Sequence, residues 1–226
     1  MNRVSSRWEN RQTVAGFSSG GPNDVLLAFA QRFRGASREP RCLDIGCGAA
    51  RNALPLAGLG FRVVATDLSA PMIEAAQARV LAAPAAAAVD LVLAPMQPLP
   101  FAGGVFDLIV AHGIWNLAAS SLEFRAALAE AARVARPGAG LFLFTFSRRT
   151  LPPGAEPDAG ESFVYSSWNG EPQCFLEEAE LTDELARAGF VRDSSEPLTE
   201  YNAPRPGEIR MGGGPPVIYE GTFLRK

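Results

Sequence analysis

Short apolar runs alternate along the chain with longer segments whose apolar positions recur at helical spacing. "RCLDIG" from Arg41, "FRVVATD" from Phe61, "VDLVLA" from Val89, "FDLIVAHG" from Phe106 and "GLFLFTFS" from Gly140 predict strands. Between them the pattern predicts a helix over about Ala50–Leu59, closed by Gly60, and a second, "MIEAAQARVLAA", started by Ser69 and Pro71. A third, "LEFRAALAEAARVAR", opens on the Ser120/Glu123 capping pair and stops at Pro137 and Gly138. Ahead of the first strand, Asp24 is placed to cap a short helix, "VLLAFAQRF", while Arg3–Gly21 reads as a polar arm.

Strands that are apolar on both faces and alternate with helices specify a parallel sheet covered on both sides. The rhythm breaks after Ser147. Residues 148–176 are rich in Pro and Gly and too long for a simple connection, so they read as a substrate-side loop insertion. A helix, "EEAELTDELARAG", then leads to a strand from Phe190, and the chain closes on "PPVIYEGTFLRK". The Pro/Gly-rich link before this last strand predicts that it runs antiparallel. The expectation is an α/β fold with a seven-stranded, mostly parallel sheet and helices on both faces. Residues 25–226 form one domain, and residues 1–24 an arm that caps the substrate side.

Composition narrows the class. With 226 residues, 47% of them hydrophobic, one sizeable core is within reach. A net charge of −3 and a pI of about 5.3 speak against a nucleic-acid binder. No apolar run is long enough to span a membrane, and Met1–Gln12 lacks the apolar core of a signal peptide. Cys42, Cys47 and Cys174 make an odd set without a CxxC pair. That argues against a disulfide framework or a metal site and for a cytoplasmic location.

The chemistry concentrates in "LDIGCGAARNALPLA", Leu43–Ala57. In an open α/β sheet, ligands sit outside the carboxyl ends of the strands, beside the first strand-to-helix turn. Gly46 and Gly48 let the main chain turn sharply there and approach a ligand, and the following helix start offers N–H groups to an anion. Asp67 closes the next strand, where a carboxylate can accept hydrogen bonds from a ribose diol. The combination points to a nucleoside-containing cofactor. Arg51 stands where the nicotinamide fingerprint needs its third glycine, and the P-loop Gly-Lys-Ser/Thr is absent. Asp44, an acid ahead of the glycines, suits a cofactor carrying a cationic amino group.

"LDIGCGAARNALPLA" together with "VVATDLS" resembles the first two motifs of the class I S-adenosylmethionine-dependent methyltransferases. "LPFAGGVFDLIVAHGIWNL", "EAARVARPGAGLFLFTFS" and "ELTDELARAGF" are similar to the family's later blocks, so the likeness runs from about Val25 to the C-terminus. It implies a Rossmann-like fold, S-adenosylmethionine as cofactor and S-adenosylhomocysteine as product. It also implies that Asp44, Gly46, Cys47 and Gly48 hold the methionine end, that Asp67 takes the ribose hydroxyls and that Leu68 lies against the adenine. Pro95 and Met96 occupy the loop that touches the adenine in the family, but the acid common there is missing. Ala50 replaces a common third glycine.

His112, the only histidine, stands at the exit of the fourth strand. It is the candidate base for a hydroxyl acceptor or, alternatively, a wall of the cofactor site. Trp115 and Asn116 follow it as candidate substrate contacts, with a core aromatic as the alternative for Trp115. The arm and the inserted loop nominate Phe17, Tyr165 and Trp168, with Trp8, Phe163 and Cys174 behind them. The implied activity is methylation of a small organic acceptor by a monomer or homodimer, with no nucleic-acid or membrane partner. The alternatives are a macromolecule methylase and a homologue that binds the cofactor without methylating.

Overall fold

The computed structural model describes residues 6–18, 20–203 and 214–226. Its centre is a sheet built from β1 (Arg41–Ile45), β2 (Arg62–Asp67), β3 (Val89–Leu93), β4 (Phe106–His112) and β5 (Ala135–Phe146), all mutually parallel. The helices in this part are α1 (Ser6–Glu9), α2 (Arg11–Ser18), α3 (Asp24–Ala30), α4 (Ala53–Gly58), α5 (Ala70–Leu81) and α6 (Ser121–Val134). The rest comprises a two-stranded ribbon of β6 (Val164–Tyr165) and β7 (Gln173–Cys174), then α7 (Glu178–Arg187), β8 (Phe190–Arg192), β9 (Thr199–Tyr201) and β10 (Ile218–Arg225).

The strand order is β3-β2-β1-β4-β5-β10-β8, with β9 paired to the free part of β10. β10 runs antiparallel to β5, to β8 and to β9. The seven-stranded plan with a reversed last strand therefore holds, and β9 and the ribbon are additions to it. Strand parity divides the core. Leu43, Ile45, Ile109, Leu141 and Leu143 face α6 and α7. Cys42, Val63, Ala65, Leu108, Val110 and Phe142 face α3, α4 and α5. All three cysteines are free and buried.

Three local expectations are corrected. Within the N-terminal arm, Ser6–Glu9 and Arg11–Ser18 are helical, and the Asn10 side chain caps the second helix by accepting from the Gln12 N–H at 2.8 Å. α3 is capped by Asn23 rather than Asp24, its Oδ1 accepting from the Leu26 N–H at 2.9 Å. α4 begins at Ala53 rather than near Ala50, because Ala50 adopts φ +59, a left-handed conformation that cannot start a right-handed helix. The same angle explains why a glycine would suit position 50. Most of the Pro/Gly-rich link before β10 lies outside the described residues, as does the side chain of Phe17.

Candidate active site

The turn after β1 is tied to the end of β2. Cys47 donates its main-chain N–H to the Thr66 carbonyl at 2.8 Å, and Gly48 donates to Asp67 Oδ2 at 2.9 Å. Asp67 Oδ1 accepts from the Ser69 N–H at 2.9 Å. Ser69 in turn caps α5 and donates from its hydroxyl to the Trp8 carbonyl at 2.8 Å, which pins α1 beside the site. Burial raises the Asp67 carboxyl above its ordinary range, against the pull of its main-chain donors. Ala94 donates to the Asp67 carbonyl at 3.0 Å, so half-buried Pro95 and Met96 follow directly beside that strand end.

Gly46 has φ +69, and a Cβ there would meet the Ile114 side chain at 2.7 Å. Two separate demands, backbone conformation and a close neighbour, require glycine at this position. Ile114, unassigned from the sequence, is therefore a shaping residue of the turn.

Asp44 is 1% exposed, and its Oδ2 has no hydrogen-bond partner. Burial pushes its carboxyl up to about 7; Arg51 pulls it down and Asp67 pushes it up. An orphaned buried acid oxygen is expensive unless a ligand supplies the missing donor.

A second polar group lies on the same side of the sheet. His112 pairs in register with Phe144, and Phe144 with Glu220, which places all three in one row at the carboxyl edge of β4 and β5. The His112 ring stacks on Phe144 at 4.1 Å and 14°, and Phe144 lies 6.1 Å from the Tyr201 ring. Glu220 is 3% exposed; it accepts from Tyr201 Oη at 2.8 Å and from Asn23 Nδ2 at 2.6 Å. Asn23 Nδ2 also stands 3.4 Å from His112 Nε2, and Arg51 Nη2 is 3.1 and 3.3 Å from the two ring nitrogens. Burial, reinforced by the Arg51 charge, lowers His112 to about 4. At neutral pH the ring is uncharged.

The geometry can be set beside known proteins. Residues 43–143 match the family model described as a methyltransferase domain. A demethylmenaquinone methyltransferase of Mycolicibacterium vanbaalenii is 35% identical over 164 residues, covering 66% of this chain and 67% of that protein. The malonyl-[acyl-carrier protein] O-methyltransferase of Salmonella typhimurium is 31% identical over 187 residues, covering 82% of this chain and 65% of that one. The chain belongs to the class I S-adenosylmethionine-dependent methyltransferases. Among solved structures, the 1,6-didemethyltoxoflavin-N1-methyltransferase of Burkholderia thailandensis superposes with a TM-score of 0.60 at 22% identity, covering 88% of this chain and 77% of that one; that likeness shows the fold.

The methyltransferase's own residues fit its cofactor. The unpartnered Asp44 oxygen offers an acceptor to an ammonium group, and Asp67 keeps lone-pair capacity beyond its main-chain bonds for hydroxyl donors. Among the described residues no cluster of His, Cys, Asp and Glu is arranged to hold a metal ion. None of the described helices is long and apolar enough to cross a membrane.

The other nominated residues are placed as follows. Trp115 is fully buried and packs with Leu43, Phe124 and Leu143 on the α6 side of the sheet, away from His112. Asn116 is buried next to it with Oδ1 unpartnered. Tyr165 is buried and Trp168 half-buried in a small aromatic cluster with Phe146, Phe175 and Leu151 that fastens the inserted loop. The guanidinium of Arg148 lies 4.5 Å from the centroid of the Tyr165 ring, and Arg149 pairs with Glu200. Phe163 and Cys174 join the main core, and Cys174 donates to the Ala118 carbonyl. Asp107, at the opposite end of β4, accepts from Arg136 and from the Arg41 N–H and is structural. Asn23, Tyr201 and Glu220 were missed. One signal was readable: Glu220 is the lone carboxylate of the closing strand, next to Tyr219 and on a stretch where burial is expected.

Proposed function

We propose that this methyltransferase acts on a small organic acceptor that carries a hydroxyl or ring N–H on a flat apolar frame. The observation carrying this is the row His112–Phe144–Glu220 with Tyr201, an aromatic and hydrogen-bonding wall on the same sheet face as Asp44 with its orphaned oxygen. Asp44 takes the ammonium of the cofactor and the Cys47–Gly48 main chain lies along its methionine part. Asp67 takes the ribose diol, while Leu68, Pro95 and Met96 face the adenine. S-adenosylmethionine supplies an activated methyl group on a cationic sulfur. The protein's part is to hold the acceptor in line with it and to exclude water. The neutral imidazole of His112 forms a wall between the two halves and adds no positive charge beside a cationic cofactor.

The test is a mass-spectrometric screen for the gain of one methyl group. Demethylmenaquinone heads the panel because one relative is named for it; simple quinols, phenols and nitrogen heterocycles follow. Product is expected from at least one flat hydroxylated or N–H acceptor. If no member of the panel is methylated while S-adenosylhomocysteine still binds, the small-acceptor assignment falls.

A further inference from the structure

Four carboxylates are buried among the described residues: Asp44, Asp107, Glu184 and Glu220. A charge taken out of water needs an opposite charge or several donors to offset its lost hydration. Asp107 pairs with Arg136 at 2.6 Å, and Glu184 with Arg125 and Arg187 at 2.9 and 2.8 Å. Among the described residues, neither Asp44 nor Glu220 has an arginine or lysine partner. Glu220 is held by two neutral donors, the Asn23 amide at 2.6 Å and the Tyr201 hydroxyl at 2.8 Å, one on each oxygen. A carboxylate offers about four lone-pair sites, so it keeps room for a further donor. Arg51 is engaged with the His112 ring and not with Glu220.

The two carboxylates without a cation share one face of the sheet. Asp44 is level with Val110; two residues on, His112 is level with Phe144, and Phe144 with Glu220. The two paired carboxylates lie elsewhere, Asp107 at the opposite end of β4 and Glu184 on α7. Around Glu220 the wall is accessible: Asn23, His112 and Phe144 are half-buried, and Tyr201 is 38% exposed.

The cofactor's ammonium supplies the missing charge at Asp44. We infer that the acceptor supplies it at Glu220: this carboxylate binds a cationic or N–H-bearing nitrogen of the acceptor and selects nitrogen acceptors over anionic ones. Asn23 and Tyr201 hold the carboxylate in place, and the rings of Phe144 and Tyr201 suit a flat cation. When a nitrogen lone pair takes the methyl group and the carbon–sulfur pair stays on sulfur, positive charge passes to the nitrogen. The nitrogen keeps that charge or gives its proton to the carboxylate, and a fixed anion favours either outcome. The inference rests on the small-acceptor reading above and narrows its choice of hydroxyl or N–H to nitrogen.

The test uses three flat probes of one shape, benzamidinium, benzamide and benzoate. They are titrated by calorimetry into protein saturated with S-adenosylhomocysteine, which fills the Asp44 side. Benzamidinium should bind at least about tenfold tighter than benzamide, the scale of one charged hydrogen bond, and benzoate should bind weakest. The absence of a cation preference in wild type overturns the inference. Glu220→Gln keeps the side-chain length and an oxygen for the Asn23 amide, and it should remove most of the preference. A preference that survives in this variant overturns the assignment of Glu220. If the variant fails to fold, a crystal of the wild-type protein with S-adenosylhomocysteine and benzamidine decides. The amidinium is expected against Glu220; finding it at Asp44 or on the outer surface overturns the inference. A hydroxyl acceptor methylated by a protein without cation preference upholds the small-acceptor reading and sinks this one. A cation preference lost in Glu220→Gln, with no product from the screen, does the reverse.

Discussion

The two ends of the active site are built in different ways. The proposed cofactor end, Asp44 to Ser69, comes from one continuous strand-turn-helix-strand unit, and its key bonds join residues close in sequence, such as Gly48 to Asp67. The proposed acceptor end joins Asn23, His112, Phe144, Tyr201 and Glu220, and its shortest bond links residues at nearly opposite ends of the chain. The first is a local motif that any chain with this strand-turn-helix can carry. The second exists only once β10 has inserted beside β5 and brought Glu220 level with Phe144. A local unit preserves its chemistry while substrates change; an assembled wall can change with every loop and edge strand around it.

The sharpest way to break this comparison is through Asp44. Its folded-state carboxyl is raised to about 7 from an ordinary value near 3.8, so its contribution to stability is complete below about pH 4 and is lost as pH rises through 7. Asp44→Asn should therefore stabilise the ligand-free protein at pH 8, with a ceiling of roughly 4 kcal/mol set by the size of the shift, and much less at pH 4. Thermal melts of both proteins at the two pH values check this. Wild type should also release protons when S-adenosylmethionine binds near pH 7, readable by calorimetry in buffers of different ionisation enthalpy. No proton release would remove Asp44 from the ammonium site.

Gly46→Ala comes next. Left-handed backbone together with the Ile114 contact should cost roughly 2–4 kcal/mol, and Ile114→Ala in the same chain should recover part of it in denaturant melts. If the double variant is no better than the single, the contact does not shape the turn. Asp67→Ala should weaken S-adenosylhomocysteine by roughly 1.5–3 kcal/mol, the range for hydrogen bonds to a charged group. Unchanged affinity in calorimetry would refute the ribose assignment. The smallest effect belongs to the other end. Tyr201→Phe should raise the acceptor KM by about fivefold, or ~1 kcal/mol, while leaving S-adenosylhomocysteine affinity within error. A change confined to cofactor affinity would merge the two ends into one.

Legibility follows the same division. The turn at Gly46 and Gly48, and the places of Asp44 and Asp67 near the ends of their strands, were readable because turn chemistry and strand ends are local properties. Ser69 as the α5 cap was readable for that reason too. The helical arm was missed although Asn10 carried a capping signal, because a short polar helix has almost no apolar period to detect. The choice between Asn23 and Asp24 as the α3 cap mattered more, since the residue that caps is also the one that reaches His112. Trp115 and Tyr165 looked like substrate aromatics from their loops and are buried in the structure. Sequence alone cannot say which side of a sheet an exit loop turns toward.

By itself the sequence determined the α/β plan, the glycine turn and its two acids, because propensity, capping and alternation act over a few residues at a time. The tertiary structure decided the partner of His112, the burial of Glu220 and the orientation of the Asn23 amide. Those depend on the register of an antiparallel strand near the end of the chain against the fifth strand. Register is a property of two distant segments packed together, and neither segment carries it alone.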